Sequence, residues 1–156
     1  PVLLLAIALV AVLGGGTVSV IISLCLVSWT QYARVVRSSV LGIREEEYVL
    51  AAKTFGASNK RILFKYIIPN ALAPIIVVAT LGIGTAIVSE ATLSFMGLGV
   101  QPPTPSWGYA LSFGLRYMRT AAHMATIPGL AIMFTVLGFN LLGNGIRDIT
   151  DPRMVN

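Results

Sequence analysis

Four stretches of this chain contain no Asp, Glu, Lys or Arg: Pro1 to Ala33, Tyr66 to Ser89, Ala91 to Leu115, and Thr120 to Ile146. A helix needs about 20 mostly apolar residues to cross a hydrocarbon core. Uncharged runs of this length limit the fold more than any motif does. Of the 156 residues, 56% are hydrophobic and 11% charged, whereas a soluble domain is about one quarter charged. A chain this short cannot bury so much apolar surface in a soluble core. The sequence therefore predicts an all-α, multi-pass membrane protein.

The formal charge of +5 raises nucleic acid as a partner. The basic residues, however, are interleaved with membrane-length apolar runs, and no nucleic-acid motif accompanies them. Membrane lipid is the expected surrounding, with the Lys and Arg excess marking cytoplasmic loops. The single cysteine, Cys25, lies in an apolar run and reads as packing material. No Cys/His cluster has zinc spacing, so no metal site is expected. Pro1 to Leu13 lacks the basic leader and cleavage site of a signal peptide. It reads as the remainder of a membrane helix, so an N-terminally truncated chain is expected.

Gly14, Gly15 and Gly16 stop that first apolar helix, and a second span follows over "TVSVIISLCLVSWTQYA". Trp29 and Tyr32 suit an interface near its charged end, and Arg34 and Arg37 mark the exit from the bilayer. Pro69 opens a third span in the first turn, where its missing N–H breaks no bond. Within it Gly82 and Ala86 form a small-xxx-small pair that invites close approach of another helix. "VQPPTPSWG" is too proline-rich to continue a helix, residues 107–122 are at best amphipathic, and the last span runs from about Thr126 to Ile146.

Seven of the eleven Lys and Arg residues fall between Arg34 and Lys65. Arg147 and Arg153 lie in the tail, two spans further on, so this basic segment and the C-terminus belong on one side. The charge bias makes that side cytoplasmic, and the proline-rich segment then faces outside. The expected organisation is a single transmembrane domain over 1–156, with a cytoplasmic loop at about 34–65 and an outer loop at about 100–125.

Within the cytoplasmic loop Glu45, Glu46 and Glu47 open a short helix, their charge suiting the positive end of its dipole. Tyr48, Ala51, Ala52 and Phe55 share one face at i, i+3, i+4, i+7 spacing. Gly56 ends the helix with a sharp turn, and Ser58 or Asn59 caps a second one carrying Lys60, Arg61 and Lys65. No G-x-x-x-x-G-K-[ST] loop is present, so the chain is not expected to hold nucleotide. Such a pair of helices is suited to docking in a groove of a soluble partner. Ala51 and Ala52 allow close approach, Tyr48 and Phe55 fill pockets, and Gly56 sets the angle.

This loop resembles the EAA signature of permease subunits in ABC importers: Glu-Ala-Ala, three residues, Gly, nine residues, then Ile-x-Leu-Pro. Ala51, Ala52, Gly56 and Pro69 match in register, and Ile68 is a close substitute. Leu50 stands in place of the Glu and Tyr66 in place of the Ile, while Glu47 offers a carboxylate one turn earlier. "SEATLSFMGLGVQPPTPSWG" and "NLLGNGIRDITDPR" are similar to the C-type permease subunit of dipeptide, oligopeptide and nickel importers. The resemblance covers the whole chain, as the C-terminal part of such a subunit.

It implies part of a type I ABC importer transmembrane domain in the inner membrane of a bacterium or archaeon. The implied partners are a homologous second permease subunit, two ATPase subunits and an extracytoplasmic substrate-binding protein. ATP and Mg reside on the ATPases; this chain binds no cofactor and has no catalytic residue. Glu47, Tyr48, Ala51, Ala52, Phe55, Gly56 and Pro69 are the residues implied to couple to the ATPase. The cargo is a peptide or a small solute such as nickel.

Outside this loop Glu90 is the most pointed residue, since an ionisable group in a span is costly and often functional. A place on the translocation path and a structural hydrogen-bonding role are both open, the second being favoured. His123 is a solvated or packing residue rather than a metal ligand. Arg116 and Arg119 lie either where a binding protein docks or on a merely solvated face. An ATP-independent carrier or channel is the main rival reading. An intramembrane enzyme is a weaker one, because Glu90 and His123 form no catalytic set.

Overall fold

The computed structural model describes residues 2–150, and the regular structure among them is helical. Three helices are long and apolar enough to cross a membrane. The described residues fall into two compact units. One holds the first helix, the second helix as far as Trp29, and Leu81–Leu141. The other holds Thr30–Thr80 and the stretch from Leu142 to the end of the last helix.

In the first unit α1 (Val2–Leu13) is apolar all round and stops at the glycine triplet. Gly14 at φ +86° and Gly16 at φ +128° occupy backbone conformations that side chains disfavour, which makes the turn possible. The first part of α2 (Thr17–Arg44) follows. Val10 from α1, Val20 from α2 and Leu93 from α5 (Ile68–Phe95) form the core, with Ile7, Leu24 and Leu98 against it. Ser23 is wholly buried on the same stripe of α2 as Val20 and Val27. Leu4, Leu5, Val12, Val18 and Ile21 point outward, as expected for helices whose outer surface meets lipid.

The end of α5 is a Schellman cap. Gly97 takes φ +81°, its N–H bonds to the Ser94 carbonyl, and the Leu98 N–H returns to the Leu93 carbonyl. The proline-rich segment then leads into α6 (Trp107–Leu115), and α7 (His123–Thr150) follows. Two glycines let this part pack closely. A Cβ on Gly108 would fall onto the backbone of Ala91 in α5, and one on Gly114 onto the backbone of Met124 in α7. Of the expected small pair, Gly82 is half-buried. Ala86 is exposed, and it is Gly84 that meets α7, where a Cβ would lie 3.2 Å from Asn140 Oδ1 and 3.4 Å from Val136 Cγ1.

In the second unit the charged positions Arg34 and Arg37 do not end the span's helix, because α2 runs on to Arg44. A charge marks where a helix leaves lipid, not where its hydrogen bonds stop. Glu45 and Glu46 form the turn, and only Glu47 enters α3 (Glu47–Thr54). The second short helix, α4 (Asn59–Ile62), is not a separate element. It continues through a π-helical turn, Leu63–Ile67, into α5, making one helix of 37 residues from Asn59 to Phe95.

Pro69 therefore lies in the first turn of α5, but a helix rather than a loop precedes it. Proline in a helix leaves a carbonyl unpaired and presses its ring on the preceding turn. The π-turn widens the helix just before it, with the Ile68 N–H reaching back to the Leu63 carbonyl. The last helix, α7, is longer at both ends than the expected Thr126–Ile146 span. Arg153 and the polar tail beyond Thr150 lie outside the described residues.

Candidate functional site

Val49 anchors α3. It is 3% exposed and packs with Ile62 and Ile67, flanked by Val40, Ile43, Ala57 and Tyr66. With Val49 inward, Leu50 and Ala51 turn outward, and Leu50 is 50% exposed. The helix closes with a second Schellman cap: Gly56 N–H bonds to the Lys53 carbonyl and Ala57 N–H to the Ala52 carbonyl. Gly56 sits at φ +80° with open space where a Cβ would be. The carbonyl of Ala52, inside the motif, is thus part of the turn itself.

Phe55 is the C-cap residue and is 90% exposed. Tyr48 and Leu50 of the same short helix are exposed as well. Ser58 caps α4, its Oγ accepting the Arg61 N–H at 3.4 Å. Of the expected apolar face, Ala51 and Phe55 are free, Ala52 is half-buried, and Tyr48 leans toward Tyr66 with ring centroids 6.4 Å apart. Glu47 is exposed in the first turn of α3. Pro69 is exposed but belongs to the longer helix beyond the π-turn.

Loss of the Val49 contact is measurable by itself. Val49→Ala is expected to destabilise the α3–α4 pair by about 1–3 kcal/mol. Hydrogen exchange of amides 47–67 in the full-length protein should accelerate accordingly, and unchanged protection there would contradict the anchoring role.

Glu90 is half-buried near the end of α5. Its Oε1 accepts the Ser94 hydroxyl at 2.5 Å and the Ser106 hydroxyl at 3.1 Å. His123 is exposed at the start of α7, and the described residues contain no group of three or more His, Cys, Asp or Glu that could hold a metal ion. Arg116 closes α6 and Arg119 follows it, both exposed.

The model of the family described as binding-protein-dependent transport system inner membrane component matches residues 1–156. The chain belongs to this family. It is similar to the dipeptide transport system permease protein DppC of Alkalihalophilus pseudofirmus, at 49% identity over 99% of the chain and 51% of that relative. It is also 47% identical to the glutathione transport system permease protein GsiD of Escherichia coli O1:K1 and to that of Shigella flexneri, again over 99% of the chain and 51% of each relative. The chain spans about half the length of these curated relatives.

In this inner membrane component the residues singled out from sequence are not all brought together. Tyr48, Ala51, Ala52, Phe55 and Gly56 gather at α3 and its turn, Pro69 marks the continuation into the span, and Glu90 belongs to the other compact unit. Sequence reasoning missed Val49, which sits between Tyr48 and Leu50 with no periodic signal of its own. It also missed Ser94 and Ser106. Ser94 was findable at i+4 from Glu90, one turn away; Ser106, sixteen residues along, was not.

Proposed function

We propose that this chain is part of the membrane permease subunit of an ATP-driven importer, forming half of the translocation path and converting the motion of partner ATPases into alternating access. The observation that carries the reading is the exposed Phe55–Gly56 turn at the end of α3. The ring is presented to solvent on a short helix whose other side is anchored through Val49. Ala51 leaves the adjoining surface low enough for a groove to close over it.

In this reading two ATPase subunits carry ATP and Mg, and their closure pushes on α3. A homologous second permease subunit completes the path, and a binding protein delivers cargo to the opposite side. The stretch from Arg34 to Lys65 and the C-terminus face the cytoplasm, following the bias of Lys and Arg. The protein resides in the cytoplasmic membrane of a bacterium or archaeon. Short peptides are favoured over nickel as cargo, since the relatives named above are dipeptide and glutathione systems. The chain itself performs no bond chemistry.

The test is uptake of labelled dipeptide into proteoliposomes containing the full-length subunit, its partner permease and both ATPases. Accumulation should require ATP and the binding protein together. Equal uptake without ATP would instead establish the ATP-independent carrier and overturn the importer reading.

A further inference from the structure

Ser106 precedes α6 in the extended conformation of an N-cap, with φ −143° and ψ 138°, yet its side chain caps no N–H of that helix. Serine normally accepts such a bond at this position, as Ser58 does for α4. The Ser106 hydroxyl instead donates to Glu90 Oε1. The same oxygen accepts the Ser94 hydroxyl, and Ser94 Oγ accepts the Val100 N–H at 2.8 Å. Ser94 is 0% exposed, so its bonds have no competition from solvent.

The surrounding packing leaves no slack. A Cβ on Gly99 would collide with Ser94, and one on Gly108 with Ala91. Glu90 Oε1 offers the Ser106 hydroxyl an acceptor at 3.1 Å, which accounts for the diversion of Ser106 from its capping role. A carboxylate here also lies beside the first turn of α6, the positive end of that helix dipole.

We propose that Glu90 is a positioning residue. Its carboxylate clamps the segment 96–106 and the start of α6 to the last turns of α5, so that they behave as one piece. The exposed Pro102, Pro103, Pro105 and Trp107 ride on this piece and are presented in one arrangement. Glu90 acts through the segment it holds and does not meet the cargo. The clamp does not depend on the transport reading, and its test reads the clamp separately.

The reporter is Val100→Cys, because Val100 is 7% exposed and the change keeps the backbone N–H held by Ser94. It is placed in the full-length subunit within its purified complex, with Cys25, which is exposed, and any other cysteine replaced. The rate of maleimide labelling at position 100 is then measured. Glu90→Ala should raise it about tenfold, whereas Glu90→Gln, which keeps a carbonyl acceptor, should raise it no more than about threefold. Ser106→Ala, which removes one bond only, should fall between them, and it decides the matter if Glu90→Ala is not recovered from membranes. Labelling at the parental rate in Glu90→Ala, or in Ser106→Ala where Glu90→Ala is not recovered, overturns the clamp. ATP-driven uptake supplies a second readout. If Glu90→Gln keeps position 100 protected but abolishes uptake, the charge itself acts on the cargo and the positioning role falls.

Discussion

Gly56→Arg is expected to leave the subunit in the membrane at normal abundance and to lower ATP-driven uptake by at least about tenfold, the loss typical of blocking an interface hot spot. A Cβ at this position meets nothing within 4 Å among the described residues, so a long guanidinium has room to extend from the turn. An arginine there obstructs any groove that receives the turn. It also forces an L-residue to φ +80°, which costs about 1–2 kcal/mol.

Gly56→Ala separates the two effects. It carries the same backbone strain without the bulk, and uptake should fall by no more than a few-fold. The decisive comparison is capture of the ATPase subunits by the full-length wild type and by both variants at equal membrane abundance. Retention by wild type and Gly56→Ala but not by Gly56→Arg places the ATPase on this turn. If wild type itself captures no ATPase, the basic segment is a tether and the carrier reading moves ahead.

Gly108→Ala is the second large effect, and it acts on stability. The added methyl would land on the backbone of Ala91, which cannot rotate aside as a side chain can. Overpacking of this kind is expected to cost about 3 kcal/mol, at the upper end of the usual range. Thermal unfolding of the detergent-solubilised full-length protein should show the loss, with reduced abundance in membranes. Gly129→Ala in α7 is the matched control. Its new Cβ would lie 3.6 Å from Leu111 Cδ1, an ordinary contact, and the change adds helix propensity worth up to about 1 kcal/mol. If the two substitutions prove equally harmless, α6 does not pack on α5 as described.

Much of the fold was legible because its signals are local. The uncharged runs marked the helices, the glycine triplet marked the turn between α1 and α2, and Gly56 with Ser58 or Asn59 marked the end of one short helix and the start of the next, Ser58 being the cap. The helix ends were less legible. Arg34 and Arg37 looked like the end of a span, yet α2 continues to Arg44, because leaving lipid does not oblige the backbone to stop bonding. Pro69 looked like a beginning, yet α4 passes into α5 through a π-turn.

The sites divide in the same way. The residue types and spacing of α3 and its turn were readable, including the small residues that keep its surface low. Which side of α3 is held and which is free was not, since that depends on Val49 meeting Ile62 and Ile67 from the following helix. Glu90 was conspicuous as a charge in an apolar run, but its partner Ser106 reaches it only after the proline-rich segment folds back.

The sequence by itself determined that this protein is a helical membrane component and where its glycine turns fall, and it marked the short segment for which docking is proposed. Hydrophobic length, capping chemistry and the freedom of glycine act within a few residues of one another, so they survive in a linear reading. Only the tertiary structure decided that Gly84 meets α7, that Val49 anchors α3, and that Ser106 bonds a carboxylate in place of its own helix. Those outcomes depend on the rotational setting of each helix and on contacts between residues distant along the chain. A one-residue change in facing replaces every neighbour.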